Sequence, residues 1–146
     1  MTVTIDTTEL RKSLGGFLTG ITVVATLDDD GAPHGFTANS FTSVSLDPPL
    51  VLFCIAPMVS SYSVFRASND FAISVLARHQ RDVARVFSTR SSRRFARIDW
   101  RRDITGSPII DGAASWFDCR VNSRQEVGDH LIVVGEVLAF GHCATI

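Results

Sequence analysis

The chain has 146 residues, 45% apolar and 20% charged, the size and composition of one globular domain able to bury about two-thirds of its unfolded surface. Fourteen basic against fifteen acidic side chains leave a net charge of -1, so the molecule as a whole suggests neither a nucleic-acid partner nor an acidic tail. No run approaches the ~18 apolar residues of a membrane helix, and the opening MTVTIDTTELRK lacks the apolar stretch of a signal peptide. The expectation is a cytoplasmic protein without membrane association.

Taken in chain order, Asp6 to Phe17 reads as a helix. Asp6 and Glu9 stand at capping-box spacing, and Leu10, Leu14, Phe17 and Leu18 form an apolar stripe expected to cap a core. Ile21 to Leu27 is a β-branched strand, Asp28-Asp29-Asp30-Gly31 a turn, and the return through Gly35 to Leu46 completes a hairpin. Along that return, period 2 sends Phe36, Ala38, Ser40, Thr42, Val44 and Leu46 to one face and Thr37, Asn39, Phe41, Ser43 and Ser45 to the other. Leu50 to Ile55 reads as a buried strand, and Ser60 to Ala67 as a short helix capped by Ser60 or Ser61. Phe71 to Leu76 follows as a strand and Gln80 to Phe87 as a second short helix. Trp116 to Val121 and Leu131 to Phe140 are the last strands, joined by a polar connection, Asn122 to His130, containing Gly128. With no repeat, no linker, no βαβ alternation and no G-x-G-x-x-G, the pattern predicts one β-rich barrel or sandwich with peripheral helices.

Three places carry chemistry. Between Phe36 and Leu46, the side chains of Thr37, Asn39, Ser40, Thr42, Ser43 and Ser45 concentrate neutral groups that donate and accept, suited to phosphates and heterocycle edges; the plainer reading is an edge strand facing water. Arg90 to Arg102, RSSRRFARIDWRR, holds six arginines in thirteen residues. It is either a solvated basic loop or an anion site, in which the planar fork of an arginine such as Arg94 grips phosphate while Phe95 or Trp100 covers an aromatic ring. The run is too short, in a chain too balanced, for nucleic acid. Finally, His130 opens a strand after Gly128 and Asp129, with Asp129 placed to orient its ring; a lone histidine there is ordinarily structural. The spacing of His34, His79 and His142 fits no metal site, so no catalytic metal is expected. Cys54, Cys119 and Cys143 show no C-x-x-C spacing and read as reduced thiols, the first two as small core residues.

The segment GFTANSFTSVSLDPPL resembles the flavin-binding stretch of the flavin reductase-like family, the small reductase components of two-component flavin monooxygenases, whose pattern is close to G-x-T-A-N-S-F-x-S-V-S-x-x-P-P-L. The match rests on Gly35, Thr37, Ala38, Asn39, Ser40, Phe41, Ser43, Val44, Ser45, Pro48, Pro49 and Leu50. It extends through Thr19-Gly20, Thr22-Val23-Val24, Asn69-Asp70-Phe71-Ala72, Val75-Leu76-Ala77, Gln80, Gly106-Ser107-Pro108, Gly128-Asp129-His130 and Gly135-Glu136-Val137. The resemblance implies a six-stranded antiparallel Greek-key split barrel over residues 1–146 that binds flavin at the interface of a homodimer. It implies reduction of FMN or FAD by NADH or NADPH and release of the reduced flavin to a flavin-dependent monooxygenase. In that frame His130 serves the nicotinamide. Candidates for the flavin are Thr37, Ala38, Asn39, Ser40, Phe41, Thr42, Ser43, Cys54, Asp129 and Phe95, with Ser60, Ser61 and Arg94 for its phosphate. The family pattern continues past Gly-Glu-Val into a last strand with an aromatic and basic ending, whereas this sequence ends at GHCATI, so either a barrel strand or a cofactor contact is expected to be missing. The alternative is a flavin-binding carrier, sensor or electron-transfer protein without reductase turnover. A pyridoxamine phosphate oxidase type of split barrel is disfavoured by T-A-N-S-F together with Gly-Asp-His.

Overall fold

The computed structural model describes residues 4–14, 20–89 and 93–143. Helix α1 (Thr7–Leu14) starts where the sequence places it, because Asp6 caps it: Asp6 Oδ1 accepts the N–H of Thr8 at 2.9 Å and of Glu9 at 3.3 Å. Within one chain the described half of the expected core-capping stripe does not cap the core. Leu10 and Leu14 are 47% and 64% exposed, and Phe17 and Leu18 lie outside the described residues.

The strands are β1 (Thr22–Leu27), β2 (Pro33–Ala38), β3 (Thr42–Leu46), β4 (Pro49–Ile55), β5 (Asp70–Val75), β6 (Trp100–Arg101), β7 (Ile109–Ile110), β8 (Ser115–Val127) and β9 (His130–His142). Between them lie α2 (Tyr62–Ala67), α3 (Arg81–Phe87) and a 3-10 turn at Arg94–Arg97. Among the described residues seven strands form one sheet in the order β2-β1-β5-β8-β9-β4-β3, antiparallel at every junction, while β6 and β7 pair apart. This is the mainly β, split-barrel architecture expected, with seven strands rather than six.

The extra strand comes from the Gly35 to Leu46 stretch, which is two strands and not one. β2 pairs with β1 at one edge of the sheet, and β3 pairs with β4 at the other. Asn39, Ser40 and Phe41 carry the chain between them without a glycine or proline to mark the break, so the period-2 pattern runs through it unchanged. β4 also differs from expectation: Val51, Phe53 and Ile55 are buried, while Leu50, Leu52 and Cys54 on the alternate face are half-buried.

The connection read at Asn122 to His130 is mostly strand. β8 runs to Val127, the turn is only Gly128 and Asp129, and Gly128 adopts φ +58°, where a side chain is strained. Beyond Val121 both faces of β8 are exposed, so the apolar alternation that signals a strand is absent. Register shifts between Asp118 and Cys119 and between Val121 and Ser123 let the long β8–β9 ribbon bend around the barrel.

Two cores result. The first fills the barrel with Val24, Phe36, Val51, Phe53, Ile55, Phe65, Phe71, Ile73, Leu131 and Val133; the Phe53 ring lies 4.8 Å from Phe71 and 5.7 Å from Phe65. The second, Val23, Ala25, Phe87, Phe95 and Ile110, lies on the opposite face of β1, where α3 and the 3-10 turn pack. Gly35 makes that packing possible: a Cβ there would stand 2.9 Å from Phe95 and 3.1 Å from Phe87. Gln80 pins the start of α3, accepting from Ala77 N–H at 2.9 Å and donating to Asp111 O at 2.8 Å.

Candidate active site

The end of β2, the end of β4, the loop after β4 and the tip of the β8–β9 ribbon enclose a cavity of about 180 Å³ lined by Phe36, Thr37, Ala38, Asn39, Ser40, Cys54, Ile55, Ala56, Val59 and His130. A second cavity of about 220 Å³ is lined by Phe36, Thr37, Met58, Val59, Ser60, Phe87, Ser88, Thr89 and Arg94. Phe36, Thr37 and Val59 wall both, so the two cavities adjoin, and together they make the candidate groove. A larger cavity of about 370 Å³ lies elsewhere and shares no lining residue with it; Asp28, Asp29 and Asp70 would repel a phosphate there.

The first end is neutral. Alternation along β4 turns the Cys54 side chain away from the barrel interior, and burial raises its pKa while the Ser40 hydroxyl opposes the shift, so it stays a thiol near neutral pH. Cys119, by contrast, is a core residue whose thiol is pushed far up by burial and by the Asp118 carboxylate. His130 faces the same end, its Nδ1 2.7 Å from Asp129 Oδ1 as anticipated. With Nδ1–H donating to the carboxylate, Nε2 is left as the ring's acceptor.

Two hydroxyls read as ligand donors already donate within the protein. Thr37 Oγ1 donates to Ala84 O at 3.3 Å, and Ser40 Oγ donates to Cys54 O at 3.1 Å. What they offer the groove is acceptor capacity and a fixed wall.

The second end is built for an anion. Arg94 is half-buried, its guanidinium 5.8 Å from the Phe87 ring centre and donating to Phe87 O at 3.2 Å. Burial lowers its pKa, which means the cation is partly desolvated and gains from a negative partner. Ser60, Ser88 and Thr89 line the same end; the Ser88 and Thr89 hydroxyls already donate to Ala84 O at 2.9 Å and Val86 O at 2.7 Å. Ser61, next in the chain to Ser60, lines neither cavity; it stands at the N-cap position of α2 without a side-chain cap bond, its Oγ buried and, among the described residues, without a hydrogen-bond partner.

The remaining candidates stand apart from the groove. Phe95 does not cover a ligand; its ring is in the second core, 4.9 Å from Phe87 and 5.8 Å from Trp100, because β2 needs that surface to pack on. Phe41 packs on Phe117 at 5.3 Å, and Thr42 and Ser43 are exposed on β3. Asp129 lines neither cavity and meets the groove's His130. Arg90 lies outside the described residues. Conversely, the motif reading missed Ala56, Met58, Val59, Phe87, Ser88 and Thr89. Only Ser88-Thr89, a polar pair between a helix and a basic run, left a trace in the sequence.

Residues 14–145 match the flavin reductase like domain. The chain is 48% identical over 132 residues to the reductase component of the flavin-dependent trigonelline monooxygenase of Acinetobacter baylyi, covering 90% of this chain and 43% of that protein. It is 44% identical over 137 residues to the reductase subunit HsaB of a flavin-dependent monooxygenase of Mycobacterium tuberculosis, covering 94% and 73%. The NADH:FAD oxidoreductase of Streptomyces globisporus, solved with NAD and FAD fragments, superposes with a TM-score of 0.90 at 38% identity, over 99% of this chain and 88% of that one. The chain thus spans less than half the length of the first of these relatives, yet matches the family across nearly all of its own sequence. It belongs to the flavin reductase like family.

Proposed function

We propose that this chain is an NAD(P)H-dependent flavin reductase that supplies reduced flavin to a separate monooxygenase. The observation that carries the reading is the groove itself, with neutral hydrogen-bonding walls at one end and a desolvated arginine among hydroxyls at the other, the polarity of a flavin mononucleotide unit. Relatives named as NADH-dependent FMN reductase and NADH:FAD oxidoreductase support it.

In this reading Thr37, Ala38, Asn39, Ser40 and Cys54 wall the ring, while Arg94 and Ser60, with Ser61 next to it in the chain, hold the phosphate through charge-assisted hydrogen bonds, and Ser88 and Thr89 line that end. The flavin, when bound, supplies the hydride chemistry, accepting the hydride of the nicotinamide. The chain contributes position and exclusion of water: Phe36 and Val59 close the groove's apolar wall, and His130, oriented by Asp129, presents its acceptor nitrogen to the donor. No acid–base dyad is needed.

The exposed apolar side chains Leu46, Met58, Phe140 and Leu14 support a homodimer, with Met58, 86% exposed at the groove, brought under cover by the second copy. Three free thiols suit the reducing cytoplasm. Among the described residues no helix is long and apolar enough to cross a membrane.

The test is anaerobic titration of NADH or NADPH into a small amount of protein with excess FMN or FAD, followed by visible absorbance. Bleaching of many equivalents of flavin is expected. Bleaching limited to the protein-bound equivalent, or none, would leave a flavin carrier. Light scattering at micromolar concentration reads the dimer.

A further inference from the structure

Where β2 and β4 converge, the sheet has no backbone ladder. The pairing of β3 with β4 stops at Thr42 and Leu52, yet β4 continues through Phe53, Cys54 and Ile55, bonded only to β9 on its other side. Strand residues direct their N–H and C=O to the same side, and those of Cys54 point away from β9. They meet one side chain. Ser40 Oγ accepts the Cys54 N–H at 2.9 Å and donates to the Cys54 carbonyl at 3.1 Å.

We propose that Ser40 is a positioning residue for the flavin groove: its hydroxyl is a side-chain rung that closes the barrel between the end of β2 and β4, and so sets the separation of the Asn39 and Cys54 walls. The proposal rests on reading that groove as the flavin site. Ser40 Oγ meets the needs of both Cys54 backbone groups, which would otherwise lie at an unpaired strand end with no ladder partner. The alternative role, direct donation to the ligand, competes for a proton the carbonyl already holds. A serine here is therefore worth more to the protein's own backbone than to the flavin.

The experiment uses flavin-free protein, so that the groove's ligand does not enter the first readout. Amide exchange of Cys54 is measured by NMR in the wild type, in Ser40→Ala and in Ser40→Thr, with maleimide labelling of Cys54 resolved from Cys119 and Cys143 by mass spectrometry. Expected are a protected Cys54 amide in the wild type, about tenfold faster exchange and labelling in Ser40→Ala, and return toward wild type in Ser40→Thr, which keeps the hydroxyl. Flavin Kd should rise about tenfold in Ser40→Ala, while the KM for the nicotinamide donor at saturating flavin stays within about twofold. Unchanged exchange and labelling in Ser40→Ala, with weakened flavin binding, would make Ser40 a direct ligand and overturn the proposal. Should Ser40→Ala fail to fold, an unprotected Cys54 amide in the wild type overturns it equally. Absence of flavin binding by the wild type would instead sink the reading of the groove and leave the rung to be judged on exchange alone.

Discussion

At one end of the groove the walls belong to β2, β4 and β9, strands held in the barrel over the first core; at the other they belong to the C-terminal end of α3 and the 3-10 turn, packed on the sheet through Phe87 and Phe95. The ring end gets its shape from backbone geometry, with Cys54 and Ile55 in register with Ile132 and Leu131. The anion end gets its shape from side chains, with Arg94 over the Phe87 ring and Thr37 reaching Ala84 O. A planar ring needs a rigid slot, which a sheet provides; a phosphate needs charge and adaptable hydroxyls, which helix ends and turns provide. Substitutions should therefore separate shape at one end from affinity at the other.

The largest expected effect is Phe53→Ala. Its ring is fully buried between Phe36, Phe65 and Phe71, and truncation should cost ~3–5 kcal/mol, read as a fall in the denaturant midpoint, and disable both ends of the groove together. Loss at one end only would show that the barrel core does not underlie both. Gly35→Ala attacks chiefly the second core. Its Cβ would press on Phe95, Phe87 and Val24 O, at a cost of ~1–3 kcal/mol, and should weaken phosphate-bearing flavins more than riboflavin in a fluorescence titration.

Arg94→Ala tests the anion end, removing from the second core only the guanidinium's contact with Phe87. Losing a charged hydrogen bond to phosphate corresponds to ~1.5–3 kcal/mol, roughly ten- to a hundredfold in flavin Kd, with riboflavin affinity nearly unchanged. Equal losses for both ligands would mean that Arg94 shapes the groove rather than binding the phosphate. At the ring end, His130→Ala should raise the KM for the nicotinamide donor or lower turnover while flavin Kd stays within a few-fold, since a contact made only with the donor present is invisible to flavin binding. The smallest effect is Glu126→Gln. Its carboxylate meets Arg66 at 2.8 Å on an exposed surface, a pair worth ~0–1 kcal/mol, so stability should hardly move and any change should fade with added salt.

Local signals made much of this legible beforehand. Asp6 caps its helix because a carboxylate before a helical run has one obvious use, and β1, β5 and α3 fell within a residue or so of expectation because their apolar patterns are strong. The break between β2 and β3 was hidden, since Asn39-Ser40-Phe41 continues the alternation that a single strand would have. The outer half of β8 was hidden for the opposite reason: exposed on both faces, it reads as loop. At the site, the resemblance pointed to Thr37, Asn39, Ser40, Cys54, Ser60, Arg94 and His130, all of which line one groove. Composition could not tell that the Ser40 hydroxyl answers to β4, or that Phe95 lies beneath the wall, because both facts depend on pairings between distant segments.

The outer half of β8 has a consequence for solubility. Past Val121, whose N–H donates to Asn69 O at 2.8 Å, it leaves β5 behind and among the described strands pairs only with β9, presenting an open row of backbone groups of the kind that recruits strands from other molecules. Two charges stand on that row, Arg124 and Glu126, and each is anchored to α2 or its end, Arg124 donating to Ser68 O and Glu126 accepting from Arg66. The short helix thereby acts as a guard rail along an edge that would otherwise be sticky. Neutralising both charges together, Arg124→Gln with Glu126→Gln, should leave the monomer's fold intact and shorten the time to turbidity on concentrated storage.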